Sequence, residues 1–285
     1  MSVNAPEFNE EDEMGTEAVE TYYRQRDEWS RLDTPAGQFE FMRCLRILEE
    51  YLPDQGRLLE VGGGPGRYAI ELARRGHRVA LVDLCEHHVE EARRRMDERG
   101  LLGKADRLCA ADACDLSAFG DDAFDAVISF GPFYHLVEES ARRSAASELA
   151  RVTNDEGLAF VQFVPPLSGF VRLVDRAVDD PGALTVSAFE ETPQGAPSRT
   201  SPVHGFQEAS YIEADQLCGL FGEVGFETVD TLSVLGLAAG REEQLGRIQA
   251  RDPELYEQFA ALVEKTAREP AVIAMGQLAL WVGRY

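Results

Sequence analysis

The stretch LLEVGGGPGRYAIEL, residues 58–72, places four glycines and a proline between two apolar segments. The first segment has the length of a buried strand and the second has helical periodicity, so a strand passes directly into a helix. Glycine permits positive φ angles and lets a ligand approach the bare backbone. The first N–H groups of a helix are also unpaired and can bind polar ligand atoms. The stretch therefore predicts a ligand-binding loop at this turn.

Strand and helix patterns alternate on both sides of the loop. The predicted strands of this first half are RLLEV, HRVALVD, DRLCAAD, AFDAVISF and GLAFVQFV, with helical segments between them. Such alternation predicts an α/β fold in which helices cover both faces of a largely parallel sheet. A helix near 253–267 and a strand in MGQLALWVG close the chain.

The chain divides into five predicted segments. Residues 165–212 are rich in proline, glycine, serine and threonine, and the segment is too long for a plain connection, so we expect a lid over the site. The five are an acidic disordered tail (1–15), an N-terminal helical cap (16–52), the ligand-binding core (53–164), the lid insertion (165–212) and the C-terminal part of the core sheet (213–285).

Acidic residues dominate the composition. The chain has 51 acidic against 28 basic residues, a net charge of −23, and only Lys104 and Lys265 are lysines. So large a negative field repels phosphate backbones and argues against a nucleic-acid partner. The excess is spread along the chain, which favours a protein of a salt-rich cytoplasm over an ordinary acidic protein. There is no membrane-spanning apolar run and no signal peptide, so we expect a cytoplasmic protein without a membrane partner.

The five cysteines contain no CxxC pair and predict neither a disulfide frame nor a zinc site. Cys85 lies close to His87 and His88, which could suggest a metal. The simpler interpretation is a helix start followed by two exposed histidines. We therefore predict no metal.

Two ligands fit the glycines. The GxGxxA pattern from Gly64 to Ala69, with Asp83 after the next strand, matches a dinucleotide fingerprint. The alternative pattern runs from Glu60 through alternate glycines to Gly66. A carboxylate at Glu60 is costly near the core without a cationic partner, and it would repel a pyrophosphate. A ligand with a cationic group would supply the partner.

In this second form, and with SFGPFYHL at 129–136, the sequence resembles the class I S-adenosylmethionine-dependent methyltransferases, in a small-molecule, haloarchaeal-like branch. The resemblance covers about 28–136, the unit around 213–235 and the closing strand. It is thin between 165 and 205. It implies a Rossmann-like, doubly wound, seven-stranded and mostly parallel sheet whose last strand is antiparallel, with N-terminal helices and a lid insertion. It also implies S-adenosyl-L-methionine as cofactor.

The resemblance assigns cofactor contacts residue by residue. Glu60 would engage the methionine end, Asp83 would accept the ribose hydroxyls, and Phe130 would lie near the transferred methyl. Asp83 could equally cap the following helix, and Asp112 could be an ordinary loop acid. The full predicted set is Glu60, Gly62, Gly64, Gly66, Asp83, Leu84, Asp112, Ala113 and Phe130, where Leu84 packs on the adenine, Asp112 holds its amino group and Ala113 its ring edge.

Methyl transfer from a sulfonium is an in-line displacement that needs positioning more than a nucleophile or metal. His135, beside the expected methyl site, is the candidate base because imidazole titrates near neutral pH; capping of its own loop is the alternative. Tyr134 would orient the substrate or simply pack. Weaker candidates are His204 in the lid, Arg31 for the cofactor carboxylate, and Tyr22, Tyr23, Trp29 and Phe39 for the pocket wall.

The acceptor is an unidentified small molecule, methylated at an O, N or C atom. Two other functions stay open. An NAD(P)-dependent oxidoreductase would use the same glycines, and a non-catalytic protein would bind S-adenosylmethionine without transferring its methyl. The sequence leaves the oligomeric state undetermined.

Overall fold

The computed structural model of the chain describes residues 23, 26–169, 174, 198–199 and 208–285. Seven strands form its central sheet. They are β1 (Arg57–Val61), β2 (Arg78–Asp83), β3 (Ala105–Ala110), β4 (Phe124–Ser129), β5 (Thr153–Phe163), β6 (Glu227–Ser233) and β7 (Ala279–Arg284). Nine helices are described around it: α1 (Glu28–Arg31), α2 (Pro35–Tyr51), α3 (Arg67–Arg74), α4 (Glu86–Glu98), α5 (Glu139–Val152), α6 (Ala214–Glu223), α7 (Glu242–Arg251), α8 (Pro253–Thr266) and α9 (Pro270–Met275).

The strand order across the sheet is β3-β2-β1-β4-β5-β7-β6. The β1–β2, β1–β4, β2–β3 and β4–β5 pairs are parallel, whereas β7 runs antiparallel to both β5 and β6. This confirms the predicted doubly wound sheet with an antiparallel last strand. The strand order reverses between β1 and β4, which is where ligands bind in folds of this type.

Two apolar layers cover the sheet. Leu58 belongs to the layer with α2, α3, α4, α7 and α8, and the adjacent Leu59 belongs to the layer with α5 and α6. Successive side chains of a strand point to opposite faces, so a strand buried on both sides reads as a continuous apolar run. Trp281 of β7 anchors the second layer, where it stacks on Phe221 with ring centroids 4.3 Å apart.

Trp29 of α1 fixes the N-terminal helices against the core. The guanidinium groups of Arg95, Arg67 and Arg99 lie 3.7, 4.5 and 5.2 Å from its ring centroid. Arg67 also donates to the Trp29 carbonyl oxygen (3.2 Å) and to Asp33 (2.8 Å). Because Arg67 is the first residue of α3, the cap is attached directly to the helix that follows the glycine loop.

The sequence patterns located most elements to within a few residues but missed two helices. In α7 only Leu245 is buried, so the segment has no repeating apolar stripe. The helix α9 has six residues, which is too short for periodicity to register. The third strand ends at Ala110, earlier than the predicted end at Asp112.

Several expectations concern parts of the chain outside the described residues. They include the 1–15 tail, Tyr22, His204 and most of the 165–212 lid. Two short strands in that region are described, Ser198–Arg199 and Glu208–Ala209, and they pair antiparallel. In the described part of the chain, no helix has the length and apolar character needed to cross a bilayer.

Candidate active site

The glycine loop is attached to the end of β2 by a ladder of backbone bonds. Gly62 N and Gly63 N both donate to the Val82 carbonyl oxygen, at 2.8 and 3.1 Å. Gly64 N then donates to Asp83 Oδ2 at 2.7 Å. The loop that follows β1 is therefore held by the neighbouring strand, and a carboxylate makes the last bond.

Glu60 is the second carboxylate of the loop. Its side chain is only 4% exposed, and its Oε2 accepts from Ala69 N at 2.9 Å, in the first turn of α3. No ion pair joins it to a basic side chain among the described residues. Burial raises the pKa of Glu60 to about 8, and the nearby Asp83 carboxylate adds to this shift. The site is thus poised for a cationic ligand group, which would restore the charged form.

The glycines of the loop do different things. A Cβ at Gly64, whose φ is +53°, would meet nothing within 4 Å, so this position borders open space that a ligand can enter. A Cβ at Gly62 would lie 2.2 Å from Pro132, and one at Gly66 would lie 3.0 Å from Ala92. Gly62 and Gly66 therefore admit neighbouring parts of the protein, and their predicted contacts with the cofactor stay a prediction.

Gly63 was missed by the sequence reasoning. A Cβ there would come within 2.6 Å of Leu81 Cδ1 and 2.9 Å of the Glu60 carboxyl carbon. The residue lets the Glu60 side chain fold back against the loop. The signal was present, because Gly63 makes the run of glycines continuous from 62 to 64.

Asp83 has three polar contacts among the described residues. Its Oδ2 accepts from Gly64 N, and its Oδ1 accepts from Cys85 N at 2.9 Å and lies 3.3 Å from His88 Nδ1. The N-cap of α4 is Cys85 rather than Asp83, so the alternative capping role of Asp83 is wrong. A carboxylate offers about four acceptor positions, so Asp83 can accept a hydrogen bond from one ligand hydroxyl. A second hydroxyl can replace the His88 contact, which is the longest of the three.

The expectation of two exposed histidines beside Cys85 is also wrong. His88 is 2% exposed, His87 is half-buried, and Cys85 is 1% exposed. The third residue of α4 faces the sheet, because Val89, Ala92 and Met96 of the same helix lie in the core beside it. A charge-rich helix hides this position from a polarity pattern.

The predicted adenine contacts lie along the same edge of the sheet. Leu84, Asp112 and Ala113 are half-buried. Asp112 lies two residues beyond the end of β3 and closes a turn by accepting from Cys114 N at 2.8 Å. This turn is the structural role predicted as the alternative to adenine binding. The second carboxylate oxygen of Asp112 takes no part in this hydrogen bond.

Phe130 lies at the end of β4, against Tyr68 of α3, with ring centroids 5.1 Å apart. Burial raises the pKa of the Tyr68 hydroxyl well above its usual value, so it stays protonated. Gln162 of β5 donates to Cys44 Sγ at 3.1 Å in the same layer, and burial raises the pKa of Cys44 to about 12. The sequence reasoning missed these three polar residues, although a glutamine within the apolar run of β5 was a visible signal.

Tyr23 and His135 meet across the top of the sheet. Tyr23 Oη lies 2.8 Å from His135 Nε2, and the Tyr23 ring centroid is 6.2 Å from that of His88. Tyr134 packs against His135 with centroids 4.9 Å apart. The N-terminal cap thus reaches from the Asp83 side of the site to the loop after β4.

Three weaker candidates are engaged by other parts of the protein. Arg31, the candidate for the cofactor carboxylate, is paired with Glu28 (3.2 Å) and Glu40 (3.1 Å) and also interacts electrostatically with Tyr134. Phe39 is buried in the core and borders a cavity of about 500 Å³ between α2 and α7, away from the glycine loop. Trp29 contacts the guanidinium groups of Arg67, Arg95 and Arg99.

Comparison with known proteins agrees with this geometry. Residues 58–157 match the family model described as "Methyltransferase domain". The S-adenosyl-L-methionine-dependent Diels-Alderase iccD of Talaromyces variabilis is 34% identical over 112 residues, covering 32% of this chain and 38% of that protein. The tRNA 5-carboxymethoxyuridine methyltransferase of Escherichia coli K12 is 30% identical over 121 residues, covering 41% of this chain and 44% of the relative. The chain thus spans less than half the length of these relatives.

A solved structure extends the likeness to the whole fold. The 1,6-didemethyltoxoflavin-N1-methyltransferase of Burkholderia thailandensis, with bound 1,6-didemethyltoxoflavin and S-adenosylhomocysteine, aligns with a TM-score of 0.58 and 16% identity. The alignment covers 99% of this chain and 92% of that one. At this identity the likeness concerns the fold alone.

Residues 58–157 therefore match a methyltransferase domain, in agreement with the resemblance of this sequence to the class I, S-adenosylmethionine-dependent methyltransferases. S-adenosyl-L-methionine, the expected cofactor, is the cofactor of that family.

We expect the buried Glu60 carboxyl to make the ligand-free protein less stable as pH rises. The pKa of Glu60 is near 8 in the folded chain and 4.5 ordinarily, so the folded chain holds this proton more tightly than the unfolded chain. The stability that the protonated carboxyl contributes is therefore complete below pH 4.5 and is lost as pH rises through 8. Relative to Glu60→Gln, the free energy of unfolding of the wild type should fall by up to about 1.4 kcal/mol per pH unit in this window. Urea unfolding at a series of pH values measures it. Glu227→Gln, at the exposed start of β6, is the control and should follow the wild type; a flat difference for Glu60→Gln would contradict the expectation.

Replacing Asp83 tests the nucleoside contact. Hydrogen bonds to a charged acceptor contribute roughly 1.5–3 kcal/mol each, so Asp83→Ala should weaken S-adenosylhomocysteine binding at least about tenfold. Calorimetric titration measures the change, with circular dichroism to confirm folding. Asp115→Ala, an exposed acid after β3, should bind like the wild type. Equal affinity of Asp83→Ala and the wild type would remove Asp83 from the site.

Proposed function

We propose that this protein is an S-adenosylmethionine-dependent methyltransferase that methylates an O, N or C atom of a small molecule by in-line displacement. The proposal is carried by two observations in the same loop region, one on Glu60 and one on Gly64. One is a buried carboxylate without a basic side-chain partner among the described residues, and the other is a loop position that borders open space. Together they fit a ligand that carries an ammonium group and lies against the backbone.

The cofactor supplies an electrophilic methyl group on a sulfonium sulfur. In this proposal Glu60 holds the amino group of the methionine end, and Gly64 gives it room. Asp83 accepts the ribose hydroxyls, and Asp112 the adenine amino group. Leu84 and Ala113 pack on the base, and Phe130 lies beside the reacting centre with Gly62 and Gly66 shaping the loop around it.

The protein's own contribution to the rate is positioning. Holding two reactants in line and away from water can lower a barrier by about 7–11 kcal/mol. An acceptor with an O–H or N–H group also needs to lose a proton, and His135 is the proposed base. Its 2.8 Å hydrogen bond with Tyr23 fixes the imidazole ring, and Tyr134 orients the acceptor.

The charge of the protein bears on the acceptor class. The Escherichia coli relative acts on tRNA, as its name states. A net charge of −23 works against binding a phosphate backbone, which supports a small molecule instead. The same acidity leads us to propose a soluble cytoplasmic protein of a salt-rich cell.

A second candidate is an enzyme that binds the cofactor without using its methyl group. The Talaromyces variabilis relative is named as an S-adenosyl-L-methionine-dependent Diels-Alderase, and a Neonectria protein of the same description is 42% identical over 68 residues. All contacts proposed for Glu60 and Asp83 are with the cofactor, so they suit both functions. Only the fate of the methyl group separates them.

Ligand binding and label transfer test the proposal. In molar potassium chloride, S-adenosylhomocysteine at a hundred times its dissociation constant should stabilise the protein by about 2.7 kcal/mol, and NADH should not. Isotopically labelled methyl should then move from S-adenosylmethionine to a small molecule in a metabolite pool. Stabilisation by NADH alone would identify an oxidoreductase. Binding of the nucleoside without any label transfer would favour the second candidate.

Variants of the Tyr23–His135 pair test the base. With the labelled acceptor in hand, His135→Ala should lower kcat about 10²–10⁴-fold, the usual contribution of a positioned base. Tyr23→Phe keeps the ring and removes the hydroxyl, so it should lower kcat less and shift the pH profile. Affinity for S-adenosylhomocysteine should change much less than kcat in both variants, because neither side chain is among the proposed cofactor contacts. An unchanged kcat in His135→Ala would exclude the role.

A further inference from the structure

Three side chains with different donor atoms meet at the end of β2. They are Asp83, Cys85 and His88, whose carboxylate oxygen, thiol sulfur and imidazole nitrogen all lie within 4.8 Å of one another. All three residues are buried. The cluster lies beside the glycine loop, because Asp83 also holds Gly64 N.

The local fold fixes the three residues with little freedom. Asp83 is the last residue of β2, Cys85 is the N-cap of α4, and His88 is in the first turn of that helix. Serine, threonine, aspartate or asparagine is the usual residue at an N-cap, where its side chain accepts a backbone hydrogen bond. Cys85 makes no such side-chain cap, so its thiol does not serve the helix in this way.

His88 has unused binding capacity. Its Nδ1 lies 3.3 Å from Asp83 Oδ1, and its Nε2 is buried without a hydrogen-bond partner among the described residues. A buried polar atom left without a partner costs roughly 1–3 kcal/mol. Nδ1 is therefore the nitrogen that faces Asp83 and would share a cation with it, and Nε2 gives the ring no competing hydrogen bond among the described residues.

We propose that Asp83, Cys85 and His88 form a binding site for a thiophilic divalent cation such as Zn²⁺, and that this cation competes with the nucleoside for Asp83. Thiolate, imidazole and carboxylate are the donors that zinc takes, whereas calcium and magnesium prefer oxygen alone. Three protein donors leave a fourth position for water. Binding displaces the proton of the Cys85 thiol to solvent, because the thiolate is the form that binds zinc.

The competition is the part that rests on the proposed function. Asp83 can direct its oxygens toward a cation or toward ribose hydroxyls, and a bound cation would neutralise the charge that makes the carboxylate a strong acceptor. Zinc would then lower the affinity for the nucleoside. The cation site itself depends only on the three side chains.

Zinc affinity is measured on the reduced, tag-free full chain without nucleoside, by competition with a chromophoric chelator. The wild type should bind one Zn²⁺. Cys85→Ser and His88→Gln should each weaken binding at least about tenfold, since even residues that only support zinc ligands contribute this much. Cys109→Ser, a thiol on β3, and His87→Gln, next to the cluster, are the controls and should bind like the wild type. Equal affinities of all four variants and the wild type would overturn the proposal.

Cobalt gives a second readout that does not depend on the strength of binding alone. Co²⁺ in the wild type and in Cys109→Ser should show a thiolate-to-metal charge-transfer absorption, and Cys85→Ser should lack it. Circular dichroism checks that each variant is folded. A charge-transfer band that persists in folded Cys85→Ser would place the metal on another thiol and refute the site.

The competition is tested by titrating S-adenosylhomocysteine at increasing Zn²⁺. The apparent dissociation constant should rise in proportion to zinc above its own dissociation constant in the wild type, and should stay constant in Cys85→Ser. A ternary complex with unchanged nucleoside affinity would refute the competition. If no S-adenosylhomocysteine binds under any condition while zinc still binds through Cys85, the proposed function fails and the cation site stands.

Discussion

The structure of the site depends on one buried hydrogen bond, from Ala69 N to the Glu60 carboxylate. Glu60 is the next-to-last residue of β1 and Ala69 lies in the first turn of α3, so the bond closes the loop between them. The loop can close this tightly because Gly63 has no side chain, and the Glu60 carboxyl takes the space that a Cβ would need. The same bond satisfies one of the free N–H groups at the start of the helix. The Glu60 carboxyl, whose burial is costly without a partner, thus determines the shape of the loop.

The second constraint comes from the neighbouring strand. Val82 and Asp83 of β2 accept three successive N–H groups of the loop, so the register between β1 and β2 sets the path of the glycines. Pro132, from the segment after β4, closes over Gly62 on the other side. The loop therefore takes its shape from the strands on both sides of β1, at the position where strand order reverses. A binding loop built in this way is preorganised, because three strands of a rigid sheet support it.

The sequence was sufficient for the fold and for the positions of Glu60 and Asp83 on two neighbouring strands. The strands are apolar runs bounded by turn residues, and Glu60 and Asp83 stand at the ends of two of them, where a parallel sheet brings them together. What the sequence could not supply were contacts between distant residues. Tyr23 meets His135 across 112 positions and Gln162 meets Cys44 across 118, and no local pattern encodes such pairs. His88 was misjudged for a different reason, since polarity alone placed it on the surface although it belongs to the buried face of its helix.

The scarcity of lysine has a structural explanation beside any adaptation to salt. Arg67 stacks on Trp29 at 4.5 Å, donates to the Trp29 carbonyl oxygen and pairs with Asp33, all with one planar group. A lysine ammonium is a compact point charge that cannot stack and donate in this manner. Arg95 and Arg99 use the same indole, so the attachment of the cap to α3 and α4 depends on guanidinium geometry. Part of the arginine preference therefore follows from packing. The feature that bears on salt is the excess of carboxylates, whose mutual repulsion concentrated salt would screen.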